Sequence, residues 1–202
     1  GIYGAAFNIY NIMLVLSSYG LPMAVSKLVS ARFTKKRYKS AAKVLRCSLM
    51  VAVCTGGIAA LLVFFGASFI ENVIYGGGLP GLAVPLRILA PTIFLVAILG
   101  VIRGFFQGQS TMIPTAVSQI LEQIVNAIVS IAAGYGMMKA FASSPDVAAY
   151  GAAGSTLGTA MGALTAVLFM GFLYAVYTPT FNRLKRKDRH CLLYTSDAAD
   201  EL

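Results

Sequence analysis

The chain has 202 residues, of which 58% are hydrophobic and only 11% charged, and its mean hydropathy is +0.78. A soluble domain averages about a quarter charged residues, so this composition excludes a water-soluble globule and implies an integral membrane protein. The net charge of +9 does not point to nucleic acid, because the basic residues form two clusters between apolar runs and no aromatic-interleaved basic groove accompanies them.

The apolar runs are long enough to cross a hydrocarbon core of roughly 30 Å at about 1.5 Å per residue. They do not alternate in polarity, so the spans are expected to be helices rather than barrel strands. The first span is expected over residues 3–29, with Gly20 and Pro22 interrupting it. Asn8 and Asn11, three residues apart, are placed on one face as candidate pathway residues. Lys27, near the far end, either snorkels to the interface or joins that pathway. A loop over 30–43 follows, within a run of Arg32, Lys35, Lys36, Arg37, Lys39, Lys43 and Arg46 that contains no acid. Short loops this basic stay cytoplasmic, and a lipid-headgroup site is the alternative reading. A second span is expected over 44–70. ENVIYGGGLPGLAV then reads as an external loop rich in Gly and Pro. Cys47 and Cys54 lie too far apart on one helix to bridge, and with Cys191 they make no disulfide framework.

The third span is expected over 82–106, with Arg87 and Arg103 near enough to its ends to snorkel. Residues 107–112 read as a tight cytoplasmic connector in which Gly104, Gly108 and Pro114 serve as turn and helix-start residues. The fourth span, 113–139, sets Thr115, Gln119, Glu122 and Asn126 on one helical face. Glu122 lies about 13 Å along the axis from Ile113, near mid-membrane. An ionisable residue there is costly and has a partner. The candidates are Gln119, Gln123 and Asn126 on its own helix, or Lys27, Arg87 or Arg103 on another. Glu122 is then either a substrate or coupling-ion contact in a transport cavity or an interhelical clamp.

The fifth span, 147–177, carries Gly154, Gly158 and Gly162 at four-residue spacing, which lets two helix backbones meet closely in a membrane. A second basic cytoplasmic loop, 178–190, closes the pattern. With five spans and no initial Met, at least one earlier helix is expected to precede the chain. Residues 191–202 break the pattern and read as a non-native, adapter-derived tail. His190 is the single histidine. No P-loop and no paired carboxylates stand in the loops. The chain is therefore not read as an enzyme, and neither a metal nor a cofactor is implied.

Two stretches resemble a known family. R-G-x-x-Q-G-x-x-x-M-x-P-T-A-x-S-Q-x-x-E-Q falls on Arg103, Gly104, Gln107, Gly108, Met112, Pro114, Thr115, Ala116, Ser118, Gln119, Glu122 and Gln123. G-x-P-x-x-x-S-K falls on Gly20, Pro22, Ser26 and Lys27. Both are similar to polysaccharide-biosynthesis and stage V sporulation protein B-type transporters, and especially to Gram-positive lipid II flippases. The resemblance covers about residues 1–180. It implies a multidrug/oligosaccharidyl-lipid/polysaccharide flippase fold of about twelve to fourteen helices in two six-helix lobes, with this all-α polytopic bundle forming five helices of the first lobe. The activity it implies is flipping of a polyprenyl-diphosphate-linked saccharide, with a coupling cation as a further partner, among membrane lipids and against a second lobe. Asn126 departs from the subgroup, where Arg is frequent, which removes one cationic contact to a diphosphate. The arginines expected on a first helix lie outside this chain. A cation-coupled drug exporter of the same superfamily, a membrane glycan polymerase or acyltransferase, and a structural scaffold are the alternatives.

Overall fold

The computed structural model describes residues 2–14, 20–74, 81–142 and 147–188. The expected tail at 191–202, with Cys191, and His190 lie outside the described residues. Among those residues the chain is an all-α bundle. Its helices are α1 (Ile2–Leu14), α2 (Gly20–Thr34), α3 (Tyr38–Phe69), α4 (Ala83–Gln107), α5 (Ile113–Ala140) and α6 (Val147–Lys187). A π-helical turn, Ile70–Ile74, extends α3. The four helices from α3 onward are each long and apolar enough to cross a membrane.

The span expected over 3–29 is two shorter helices of 13 and 15 residues. Gly20 and Pro22 stand at the start of α2 as described, a position where a proline removes no intrahelical hydrogen bond; residues 15–19, between the two helices, lie outside the described residues. α2 continues to Thr34, and α3 begins at Tyr38 rather than at 44. The basic loop expected over 30–43 is thus mostly helix. Its turn is confined to Lys35–Arg37, with Lys36 at φ 55°. At the other basic segment, α6 runs to Lys187 instead of ending at 177. Lys and Arg are good helix formers, so these helices extend past the apolar runs that hydropathy detects.

α4 is the central helix. Toward its start, Leu82, Leu86, Leu89, Ala90 and Ile93 pack with Ala5, Ala6 and Tyr10 of α1 and with Ala59, Val63 and Ala67 of α3. Toward its end, Ala97, Val101, Phe105 and Phe106 pack with Val25 and Val29 of α2, Leu45 and Ala52 of α3, and Ala166, Met170 and Phe181 of α6. Phe105 meets Phe181 edge-on at 5.4 Å, and Phe33 stacks on the same ring at 6.1 Å. This aromatic knot gathers the end of α2, the start of α3 and the end of α6. The Asp188 carboxylate then accepts a hydrogen bond from the Lys39 backbone N–H at 2.9 Å, placing negative charge at the positive N-terminus of α3. Both basic clusters therefore sit at one end of the bundle. At the opposite end, Glu71 accepts hydrogen bonds from the N–H groups of Gly81 (3.0 Å) and Ala83 (2.7 Å) and so covers the start of α4.

α5 packs along α6, and glycine explains how closely. A Cβ on Gly154 would lie 2.5 Å from the Ala133 carbonyl oxygen, and one on Gly162 would lie 2.7 Å from that of Glu122. The helices run antiparallel with their backbones in near contact, as a small-residue stripe permits in a membrane. The outer face of α5, including Ile120, Ile124, Ile128 and Ile131, is exposed.

Gly104 and Gly108 are also packing residues, and Gly108 in addition opens the turn that follows α4. Gly104 is inside α4, and Gly108, its C-cap, has φ −64°, open to any amino acid. A Cβ on Gly104 would lie 2.6 Å from the Pro22 carbonyl oxygen, and one on Gly108 would lie 2.7 Å from Val29 Cβ. The two motif stretches, 20–27 and 103–123, thus meet directly, with α2 seated on the glycine face of α4. Pro114, by contrast, is at the start of α5, where its fixed φ suits the first helical turn.

Candidate functional site

A cavity of about 440 Å³ opens where these helices converge. From α5 it is lined by Thr115, Gln119, Glu122, Gln123 and Asn126, so the polar face set by the i, i+4, i+7, i+11 spacing points into it. From α4 come Val96, Gly100, Arg103 and Gln107, which recur every three or four residues and form a second stripe. Phe7, Tyr10 and Asn11 line it from α1, Pro22 from α2, and Thr159 from α6.

At its centre, Arg103 Nη2 donates to Glu122 Oε2 at 2.8 Å, with the two side chains 14% and 20% exposed. Arg103 Nε donates to Ser118 Oγ at 3.0 Å, and the Ser118 hydroxyl donates in turn to the Thr115 carbonyl at 2.8 Å. Arg103 is one turn from the end of α4, about 6 Å along the axis, yet its side chain does not snorkel outward. It turns inward and spends its charge on the carboxylate of the neighbouring helix. The reason is energetic: an isolated carboxylate at that depth is costly, and a charge-assisted pair offsets its desolvation. Of the three basic candidates for a partner to Glu122, Arg103 is the one in contact. Arg87 instead donates to Ser68 Oγ at 3.0 Å.

The remaining candidates divide. Asn11 lines the cavity, but Asn8 is exposed and outside the lining. Helical positions three apart in sequence differ by about 60° around the axis, and the cavity takes the sector of Phe7, Tyr10 and Asn11, which leaves Asn8 on its outer flank. Lys27 is also exposed and outside the lining, although its neighbour Ser26 packs at Gly108. Gly158 and Gly162 stand behind Asn126 and Glu122 and fix the α5 backbone from which the site projects. Asn126 is held by Ser130, whose hydroxyl lies 2.9 Å from Asn126 Oδ1 and 2.8 Å from the Ser155 carbonyl oxygen. Gln107, expected only as a motif residue of the hairpin, lines the cavity, as does Thr159, and Ser118 holds Arg103; none of the three was expected in the pathway. Gln107 and Ser118 were legible in principle, since Gln107 is one turn after Arg103 and Ser118 one turn before Glu122.

The Thr115 hydroxyl is buried at the cavity wall without a hydrogen-bond partner among the described residues. Among those residues, no group of three or more His, Cys, Asp or Glu side chains is arranged to hold a metal ion. What the arrangement can do is hold a polar solute: one internally neutralised ion pair and a group of amides and hydroxyls line a space that is open on one side.

The family model for "Polysaccharide biosynthesis protein" matches residues 1–195. The lipid II flippase MurJ of Bacillus subtilis (strain 168) is 34% identical over 146 residues, 69% of this chain and 27% of that protein. Stage V sporulation protein B of the same organism is 29% identical over 172 residues, 84% of this chain and 31% of that protein. An uncharacterized membrane protein of that organism, YabM, is 28% identical over 173 residues, 86% of this chain and 30% of its own length. The chain thus spans less than a third of these relatives' length. No solved structure matches it. With nearly its whole length matched, the chain belongs to the polysaccharide biosynthesis protein family.

Proposed function

We propose that the chain is part of a flippase that carries a lipid-linked saccharide precursor across the membrane by alternating access, without covalent chemistry. The observation that supports this reading most is the polar cavity around Arg103 and Glu122, lined in large part by α4, α5 and α6, which are long and apolar enough to span a bilayer. The headgroup would occupy the cavity while the lipid tail stays in the hydrocarbon, and the rest of a protein of the relatives' length would close the cavity and rock against this bundle. A lipid II-type precursor fits the relationship to the flippase of Bacillus subtilis.

The cation-coupled exporter finds less support, because Glu122 already holds a guanidinium where a coupling ion would bind. The clamp and pathway roles of Glu122 are not exclusive: the pair ties α4 to α5 and also faces the cavity. A Gln at 122 keeps an oxygen to accept from Arg103 but removes the charge. In the full-length protein, Glu122→Gln is expected to lower the unfolding midpoint, because the Arg103 charge loses its counter-charge, and to slow flipping of a fluorescent lipid-linked saccharide in proteoliposomes about ten-fold or more at temperatures where the variant is still folded. Undiminished flipping by a well-folded Glu122→Gln protein would leave the residue a purely structural role.

A further inference from the structure

The charges in the cavity carry information about which part of a headgroup it takes. Arg103 and Glu122 are the charged residues of the lining, and they bond each other at 2.8 Å. Their fields largely cancel at a distance. A diphosphate placed beside them would meet a carboxylate as near as the guanidinium, and drawing Arg103 away would strand Glu122 in a low-dielectric setting. This wall offers no net attraction to a polyanion.

The neutral groups suit a different ligand. Gln107, Gln119, Gln123 and Asn11 reach the cavity from three helices. Each amide presents two donors and a carbonyl acceptor, the complement of a sugar, whose hydroxyls both donate and accept. The amides of Gln119 and Gln123 make no hydrogen bond to the described residues, and both side chains are exposed. Thr115 adds its buried, unpartnered hydroxyl. On the α1 side, the half-buried Phe7 lines the cavity with the buried Tyr10 against it, ring centroids 5.7 Å apart, giving an apolar edge against which the C–H face of a pyranose can pack. A space of about 440 Å³ lies within the roughly 300–1,000 Å³ usual for small-molecule sites.

We infer that this cavity wall is the saccharide-recognition side of the pathway and that the diphosphate is bound by residues outside it. The inference rests on the flippase reading and deepens it, assigning Gln119, Gln123 and Asn11 as specificity residues. It also changes the meaning of Asn126: an uncharged side chain there is consistent with a wall that reads sugar.

The test uses the full-length protein in detergent and two ligands, undecaprenyl diphosphate and the same lipid bearing one N-acetylhexosamine. The variants are Gln119→Ala/Gln123→Ala on α5 and, independently, Asn11→Ala on α1. Gln119 and Gln123 make no hydrogen bond to the described residues, and the thermal unfolding midpoint of each variant is measured beside its affinities, so that a loss by unfolding, which would weaken both lipids alike, is separated from a loss of sugar contacts. The double variant is expected to lose about ten-fold in affinity for the sugar-bearing lipid, as two neutral hydrogen bonds warrant, with no change for the bare diphosphate. Asn11→Ala should give a smaller loss of the same selectivity. An equal loss for both lipids, or no loss for either, would overturn the inference and leave the flippase reading standing. Failure of the unaltered protein to bind either lipid would overturn that reading, and the inference with it.

Discussion

At the scale of single residues, the structure turns on the choice Glu122 makes among partners. The face that presents it was legible, because Thr115, Gln119, Glu122 and Asn126 repeat with the helical period. The partner was not. Lys27, Arg87 and Arg103 all lie near helix ends, and sequence cannot say whether a long side chain there turns to the interface or to the interior. Arg103 turns inward because Gly104 seats α2 beside it and Ser118 receives its Nε, leaving its terminal nitrogen aimed at the carboxylate. Removing one member of the pair should cost more than removing both charges. Arg103→Leu is expected to destabilise the protein by roughly 3 kcal/mol, seen as a lowered unfolding midpoint in detergent, whereas Arg103→Gln/Glu122→Gln should recover most of that loss. If Arg103→Leu left the midpoint unchanged, the pair would contribute nothing to stability.

At the scale of helices, glycine is the organising residue, and its positions separate two roles that look alike in sequence. Gly154, Gly158 and Gly162 draw α6 onto α5, while Gly104 and Gly108 draw α2 onto α4. The first stripe announced itself by its spacing. The second was hidden, because Gly104 and Gly108 flank a connector and read as turn residues; their close approach to Pro22 and Val29 depends on a helix far away in sequence. Gly154→Val and Gly104→Ala should each cost about 1–3 kcal/mol, since a Cβ at either site meets a backbone carbonyl oxygen that cannot move aside. Gly57→Ala and Gly136→Ala, which meet nothing within 4 Å, should be neutral or stabilise by up to about 1 kcal/mol through helix propensity. Thermal unfolding of the four variants checks the contrast, and equal effects at all four sites would show that close helix approach is unimportant here. Helix ends were legible where Gly, Pro and Ser mark them, around α4 and α5. They were missed where Lys and Arg carry a helix onward, at the start of α3 and the end of α6.

At the scale of the whole molecule, composition alone required a polytopic helical bundle, but it could not rank the helices. α3, α4 and α6 are apolar around most of their circumference, and in a bilayer a lipid-facing Leu looks like a protein-facing one. That α4 is central while α5 keeps an exposed isoleucine face follows from packing. The cavity arises from that arrangement: α5 is held at its back by the glycines of α6 and meets α4 chiefly through charged and polar side chains, so an open polar space remains between them. The central claim is that this space is the path of a lipid-linked saccharide. It is tested most directly by photo-labelling the full-length protein with an undecaprenyl-diphosphate saccharide carrying a diazirine on the sugar. Adducts are predicted within 107–126, at cavity residues such as Gln107, Gln119 and Gln123. Labelling confined to positions outside the cavity, such as Asn8 or Lys27, would contradict the claim.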